Sequence, residues 1–156
     1  MAYRAAELDA TDWRILDALQ RDARLSLTAL GRRVGLSRPA VAERVRRLEE
    51  DGVITGYCAV VNPARVGRPI TAFVRLHTGA KDELMQLLAL AANHPDIVEC
   101  YRGTGESCVT IKIVTGTLGQ LDALLDTLAV YGVSATSVML ATVFAHRPLT
   151  PPTQGG

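Results

Sequence analysis

The chain has almost no net charge: 17 Lys and Arg stand against 16 Asp and Glu in 156 residues. That balance excludes a histone-like polycation, so any affinity for nucleic acid has to come from a local patch. The three cysteines, Cys58, Cys100 and Cys108, contain no CxxC pair. An odd number without a disulfide framework fits a reducing compartment. The three histidines, His77, His94 and His146, are not at metal-ligand spacing, so neither a metal nor a cofactor is expected. No nucleophile with a neighbouring base stands out, and Gly103-x-Gly105 is too short for a nucleotide fingerprint. No apolar run is long enough to span a bilayer, and the opening MAYRAAELDATDW lacks an apolar signal core. These absences leave the expectation of a soluble cytoplasmic protein that is not an enzyme and makes no use of a membrane.

What is present begins with core-forming material, since 48% of the residues are hydrophobic. Leu8, Ile15, Leu16 and Leu19 recur at helical spacing, with Asp9 or Thr11 as N-cap. Ser26 opens a second, short helix whose Leu27, Leu30 and Val34 face inward, and Gly35 follows it as a left-handed cap. Leu36 points into the core. Ser37 caps a third helix with Pro39 in its first turn, where a missing N–H costs nothing. On that helix Val41, Val45 and Leu48 form the buried stripe, and Gly52 is the expected C-cap.

Six arginines lie between Arg32 and Arg47 (Arg32, Arg33, Arg38, Arg44, Arg46, Arg47), with Glu43 as the single acid. Two short helices around a tight turn, the second basic, form a helix-turn-helix pattern. Ala40, Glu43 and Arg47 point outward and Arg38 projects from the N-terminal end, a set suited to reading the major groove of double-stranded DNA. Ser37 and the first-turn amides suit a phosphate, as do Arg32, Arg33 and Arg46. Arg44 sits at the core edge, where pairing with Asp12 competes with DNA. The residues alone leave a plain solvated helix face as the alternative.

Val53 to Val61 alternate as a strand, and turn signals at Asn62-Pro63 and Gly67-Arg68-Pro69 mark a boundary. Beyond it the order is strand Ile70–His77, helix with Leu84, Leu87, Leu88 and Ala91, strand Ile97–Arg102, strand Val109–Val114, helix with Leu121, Leu124, Leu125 and Leu128, strand Ser134–Phe144. The order βαββαβ predicts a ferredoxin-like sheet with both helices on one face. Phe73, Arg75, His77, Thr110, Lys112 and Val114 then occupy the other face, which is either a solvated sheet or a dimer interface.

The segment LDATDWRILDALQRDARLSLTALGRRVGLSRPAVAERVRRLEEDGVITGY closely resembles the N-terminal half of the Lrp/AsnC (feast/famine) bacterial transcriptional regulators. The resemblance rests on Leu8-Asp9-x-x-Asp12, Asp22-Ala23-Arg24, Gly35-Leu36-Ser37, Arg44-Val45-x-x-Leu48 and Gly52-Val53-Ile54, and it extends over residues 5 to 148. It implies an α+β protein with a (winged) helix-turn-helix domain over residues 1–56 and a linker strand and hinge over 57–69. A ferredoxin-like RAM domain over 70–148 and a flexible tail over 149–156 follow. It implies a linker strand that pairs with its copy in a partner chain, a homodimer that assembles to an octamer, and a free amino acid or similar small effector. Gly103, Thr104, Gly105, Glu106 and Ser107 match the family's effector loop, with Thr136 and Ser137 as further partners. Read alone, the same loop is an ordinary hairpin turn. The chain departs from many members at Cys108, where they carry Asp. Two other functions fit the same layout: a sirohaem-decarboxylase-like enzyme, and an architectural DNA-binding protein without effector.

Overall fold

The computed structural model describes residues 6–104 and 108–152. The chain divides into two compact units, one reaching to Val60 and taking in the segment from Phe144 onward, the other Val61–Val143.

In the first unit, α1 (Ala10–Arg21) starts at Asp9, whose carboxylate accepts from the amides of Thr11 and Asp12 while the Asp12 carboxylate accepts from Asp9 N–H. This reciprocal box satisfies amides that a helix start leaves unpaired. Helix α2 (Leu27–Val34) is capped by the Ser26 hydroxyl and ends at Gly35, left-handed at φ 75° and ψ 34°. Helix α3 (Arg38–Glu50) is capped by Ser37. Its C-cap is Asp51, not Gly52. Gly52, at φ +68°, comes one residue later, because the amides of Gly52 and Val53 must turn back onto the carbonyls of Glu49 and Leu48. Ile15, Leu16, Ala18, Leu30, Val34, Val41, Val45 and Leu48 form the core, with Leu8, Leu19, Leu27 and Leu36 packed at its edge.

Gly31, inside α2, sets how close the two helices come. A Cβ there would sit 2.7 Å from the Leu36 carbonyl oxygen and 3.4 Å from a Val41 methyl. The turn passes directly over the helix, and only a residue without a side chain lets it.

In the second unit the strands β1 (Ile70–His77), β2 (Ile97–Arg102), β3 (Cys108–Thr115) and β4 (Val133–Val138) form one antiparallel sheet in the order β2-β3-β1-β4. Helices α4 (Lys81–Asn93) and α5 (Leu118–Ala129) place Leu84, Leu87, Ala91, Leu121, Leu124 and Leu128 in one core with Ala72, Val74, Leu76, Val109, Ile111 and Ile113 of the sheet. Each such leucine contributes roughly 1.5–3 kcal/mol on burial. On the opposite face Phe73 stands across from Lys112, Arg75 from Thr110 and Thr71 from Val114. Val114 is buried there and Phe73 half-buried.

Three further sequence expectations differ from what the single chain shows. Residues 53–61 form no strand within the single chain: the Val53 and Ile54 amides turn back onto the Leu48 carbonyl, Tyr57 is half-exposed and Val60 and Val61 largely exposed, because a strand needs a hydrogen-bonded neighbour and the described residues supply none. The last strand ends at Val138 rather than Phe144. Val138 pairs with Ala72 and Met139 N–H reaches Thr71, after which β1 runs out at Ile70, preceded by Pro69. The segment expected as a flexible tail from residue 149 is docked at its start: the Gln20 side-chain amide donates to the Leu149 carbonyl and accepts from its N–H, at 3.1 and 2.8 Å.

Candidate nucleic-acid interface and ligand loop

Of the six arginines in the basic segment, the fold commits two to carboxylates. Arg44 Nη1 donates to Asp9 Oδ2 at 2.7 Å and to Asp12 Oδ1 at 2.8 Å. Its side chain is 31% exposed, and it ties α3 to the N-terminus of α1. Arg44 therefore supports the fold, with its Nη1 already committed to the two carboxylates. Arg46 is paired with Glu43 and Glu50, one turn away on either side. That pairing neutralises Arg46 and also engages Glu43. Glu43 is expected from sequence to face the groove and Arg46 to contact a phosphate; in the structure both are exposed and belong to one intrahelical ion-pair row.

The hydrogen bond from Arg44 draws the Asp9 carboxyl down to a pKa of about 2, with the Asp12 and Thr11 amides acting in the same direction. A carboxyl depressed on folding adds stability above its ordinary pKa of 3.8, and that gain disappears as pH falls through about 2. The melting temperature of Arg44→Gln is therefore expected to lie below that of the parent above pH 4. The gap should close as pH approaches 2, as thermal melts across that range would record. A gap independent of pH would mean that Arg44 acts by packing alone.

Arg32, Arg38 and Arg47 are exposed and carry no ion pair among the described residues. Arg47 lies on the same helical row as exposed Ala40, and Arg38 leads α3 with exposed Ser37 and Pro39 beside it. Ser37 Oγ already accepts from Ala40 N–H, and Pro39 has no N–H. Of the first-turn amides, Arg38 N–H is thus the one left without an acceptor among the described residues. Arg33 is unpaired too, but it lines a cleft beside Trp13 and Asp17 of α1. At the far end of α3, Tyr57 donates its hydroxyl to Glu49 at 2.8 Å, and burial together with that bond raises its pKa to about 12. The interaction fastens the first part of the linker to the third helix. Neither Gly31 nor Tyr57 was singled out in the sequence; for Gly31 the signal was a glycine inside a helical pattern four residues before Gly35.

In the second unit, Gly103 and Thr104 are exposed at the end of β2. Gly105, Glu106 and Ser107 lie outside the described residues. Thr136 and Ser137 are exposed on the edge strand β4, Thr136 opposite Val74 and Ser137 opposite Phe73. They therefore point to opposite faces of the sheet, and a single ligand approaching one face meets only one of them.

A basic reading helix after a tight turn, joined in one chain to a ferredoxin-like βαββαβ unit, defines a two-domain DNA-binding regulator with a small-ligand module. Residues 8–55 match the family model for winged helix-turn-helix DNA-binding, and residues 71–149 match the model for the Lrp/AsnC ligand binding domain. The chain belongs to the Lrp/AsnC family of transcriptional regulators. It is 39% identical to the HTH-type transcriptional regulator YezC of Bacillus subtilis, over 89% of this chain and 98% of that one. Among solved structures it is similar to Bacillus subtilis LrpC, with a TM-score of 0.83, 31% identity and coverage of 89% of this chain and 99% of that one. It is also similar to a transcriptional regulator of Neisseria meningitidis in complex with L-Met, with a TM-score of 0.84, 28% identity and coverage of 92% and 96%. Among the described residues no helix is long and apolar enough to cross a membrane.

Proposed function

We propose that this regulator binds operator DNA in the cytoplasm as a symmetric homodimer, using Arg38 and Arg47 of α3 with Ala40 to read bases. Arg32, Ser37 and the Arg38 amide hold phosphates. The observation that carries this assignment is the division of the arginines. Arg44 and Arg46 are held by carboxylates and Arg33 lies beside α1, which leaves Arg32, Arg38 and Arg47 as the unpaired cations around the third helix. Symmetry supplies the second half-site that a single short helix lacks. The sheet face with half-buried Phe73 is the dimer surface that fits best, and the unpaired linker 53–61 supplies a further strand for a partner copy.

The effector is a free amino acid or a close analogue, bound at the loop from Gly103 to Ser107. Backbone amides of a glycine-containing turn suit its carboxylate and Glu106 its ammonium. A relative in this family was solved with L-Met. A regulatory role is the reading the relatives support, since they are named transcriptional regulators. Effector binding acts on DNA affinity by favouring one arrangement of protomers.

Salt titration of operator binding tests the arginine assignment. Each phosphate neutralised adds about 0.9 to the slope of log K against log salt. Arg32→Gln, present twice in a dimer, should lower that slope by about 1.8. Arg46→Gln should leave it unchanged, because its charge is already matched by Glu43 and Glu50. Equal slopes for the parent and Arg32→Gln would remove Arg32 from the interface.

A further inference from the structure

The segment after the sheet unit returns to α1 and leaves a space beneath it. Leu149 is held to Gln20 by the two amide hydrogen bonds, yet its side chain is 75% exposed. Between this segment and the helices runs a cleft of about 640 Å3 whose lining includes Trp13, Val34 and Leu149. That volume falls in the range of small-molecule sites, which are mostly apolar with a few directing polar groups. Three charged residues also line the cleft: Arg14, Asp17 and Arg33. Two of them are engaged, since Arg14 donates to the Thr11 hydroxyl and Asp17 is paired with Arg21 at 2.8 Å. Arg33 has no ion-pair or hydrogen-bond partner among the described residues, and its charge helps to hold the Asp17 carboxyl below its ordinary range.

We infer that this cleft is a second ligand site, separate from the effector loop, and that it takes a small organic carboxylate with an apolar body. The apolar part covers Trp13, Val34 and Leu149, and the carboxylate meets Arg33. Charge complementarity selects this class: Arg21 already neutralises Asp17, so the uncompensated charges at the cleft are positive. Guanidinium–carboxylate pairing is bidentate and directional, and the apolar walls supply the area that holds the rest of the molecule. An ammonium compound or a neutral alcohol satisfies only the walls.

Trp13 is the only tryptophan in the chain, so its emission reports on this cleft without background. The intact protein is titrated with octanoate, octan-1-ol and octylamine. Octanoate should change Trp13 emission along a saturable curve, and octan-1-ol and octylamine should bind at least about tenfold more weakly. Arg33→Gln, an exposed substitution, should weaken octanoate by about tenfold, the attraction being reduced by solvent. Leu149→Asp, which sets a carboxylate on the wall, should abolish the saturable signal. Equal affinity for octanoate and octan-1-ol, unchanged octanoate binding by Arg33→Gln, or an emission change that never saturates would each overturn the inference. None of these outcomes depends on the effector loop or on DNA.

Discussion

A variant carrying both Arg38→Ala and Arg47→Ala is expected to bind its operator no more tightly than unrelated DNA. Each arginine that reads a base contributes ~1–3 kcal/mol. Two per half-site and two half-sites per dimer then sum to ~4–12 kcal/mol, comparable to the ~4–10 kcal/mol that separates specific from non-specific binding. Non-specific binding should survive in reduced form, because the backbone contacts proposed for Arg32 and Ser37 carry no sequence information. Competition gel shifts with operator and scrambled duplexes measure the ratio directly. Arg46→Ala and Arg44→Ala are the informative controls. Both remove a guanidinium from the same helix, but one is matched by Glu43 and Glu50 and the other by Asp9 and Asp12. If Arg46→Ala erased discrimination as fully as the double variant, the ion-pair row would have to open on DNA and the assignment would fail.

The second large effect lies in the core beneath that helix. Leu30 is 1% exposed and belongs to the cluster built from Ile15, Val34, Val41, Val45 and Leu48. Leu30→Ala removes apolar contact and leaves a cavity, at a cost of ~2–5 kcal/mol. A unit of this size has little stability to spare. At roughly 4–8 °C per kcal/mol, the transition of the first unit should fall by on the order of 10–30 °C, with operator binding lost above it. Leu87→Ala is the counterpart in the sheet unit, where Leu87 is fully buried. Calorimetry of the two variants should assign separate transitions to the two cores. A Leu30→Ala protein that melts with the parent would show that the site collapses around the smaller side chain.

Most of the fold was legible because it rests on local pattern. The i, i+3, i+4, i+7 stripes of Leu84, Leu87, Leu88 and Ala91, and of Leu121, Leu124, Leu125 and Leu128, marked both helices of the sheet unit. Ser26, Gly35 and Ser37 marked the turn through backbone requirements that few residues meet. Residues 53–61 are not a strand within the single chain, because alternation states which residues could line a face, not whether a neighbouring strand exists to pair with them. The overlong last strand failed for the same reason, ending where β1 ends rather than where the alternation does.

The candidate site was legible by residue type and less so by role. An arginine-rich third helix was plain, and pairing of Arg44 with Asp12 stood open as an alternative to DNA. That Arg44 bridges both Asp9 and Asp12, 35 and 32 residues away, depended on how α1 crosses α3. Arg46 is the instructive case, because Glu43 and Glu50 are at helical spacing in the sequence and their pairing was open to inspection there. The return of Leu149 to Gln20, across 129 residues, left no local trace.

Family, helix positions, the N-caps Ser26 and Ser37 and the two-domain order were determined by the sequence itself, because helix periodicity and capping act over a few residues and are written into neighbouring positions. Which arginines are left without a carboxylate partner, where the last strand stops, and the existence of the Trp13 cleft were decided only by the tertiary structure. A charge is committed by the partner that folding brings within hydrogen-bonding distance, and that partner can lie anywhere along the chain.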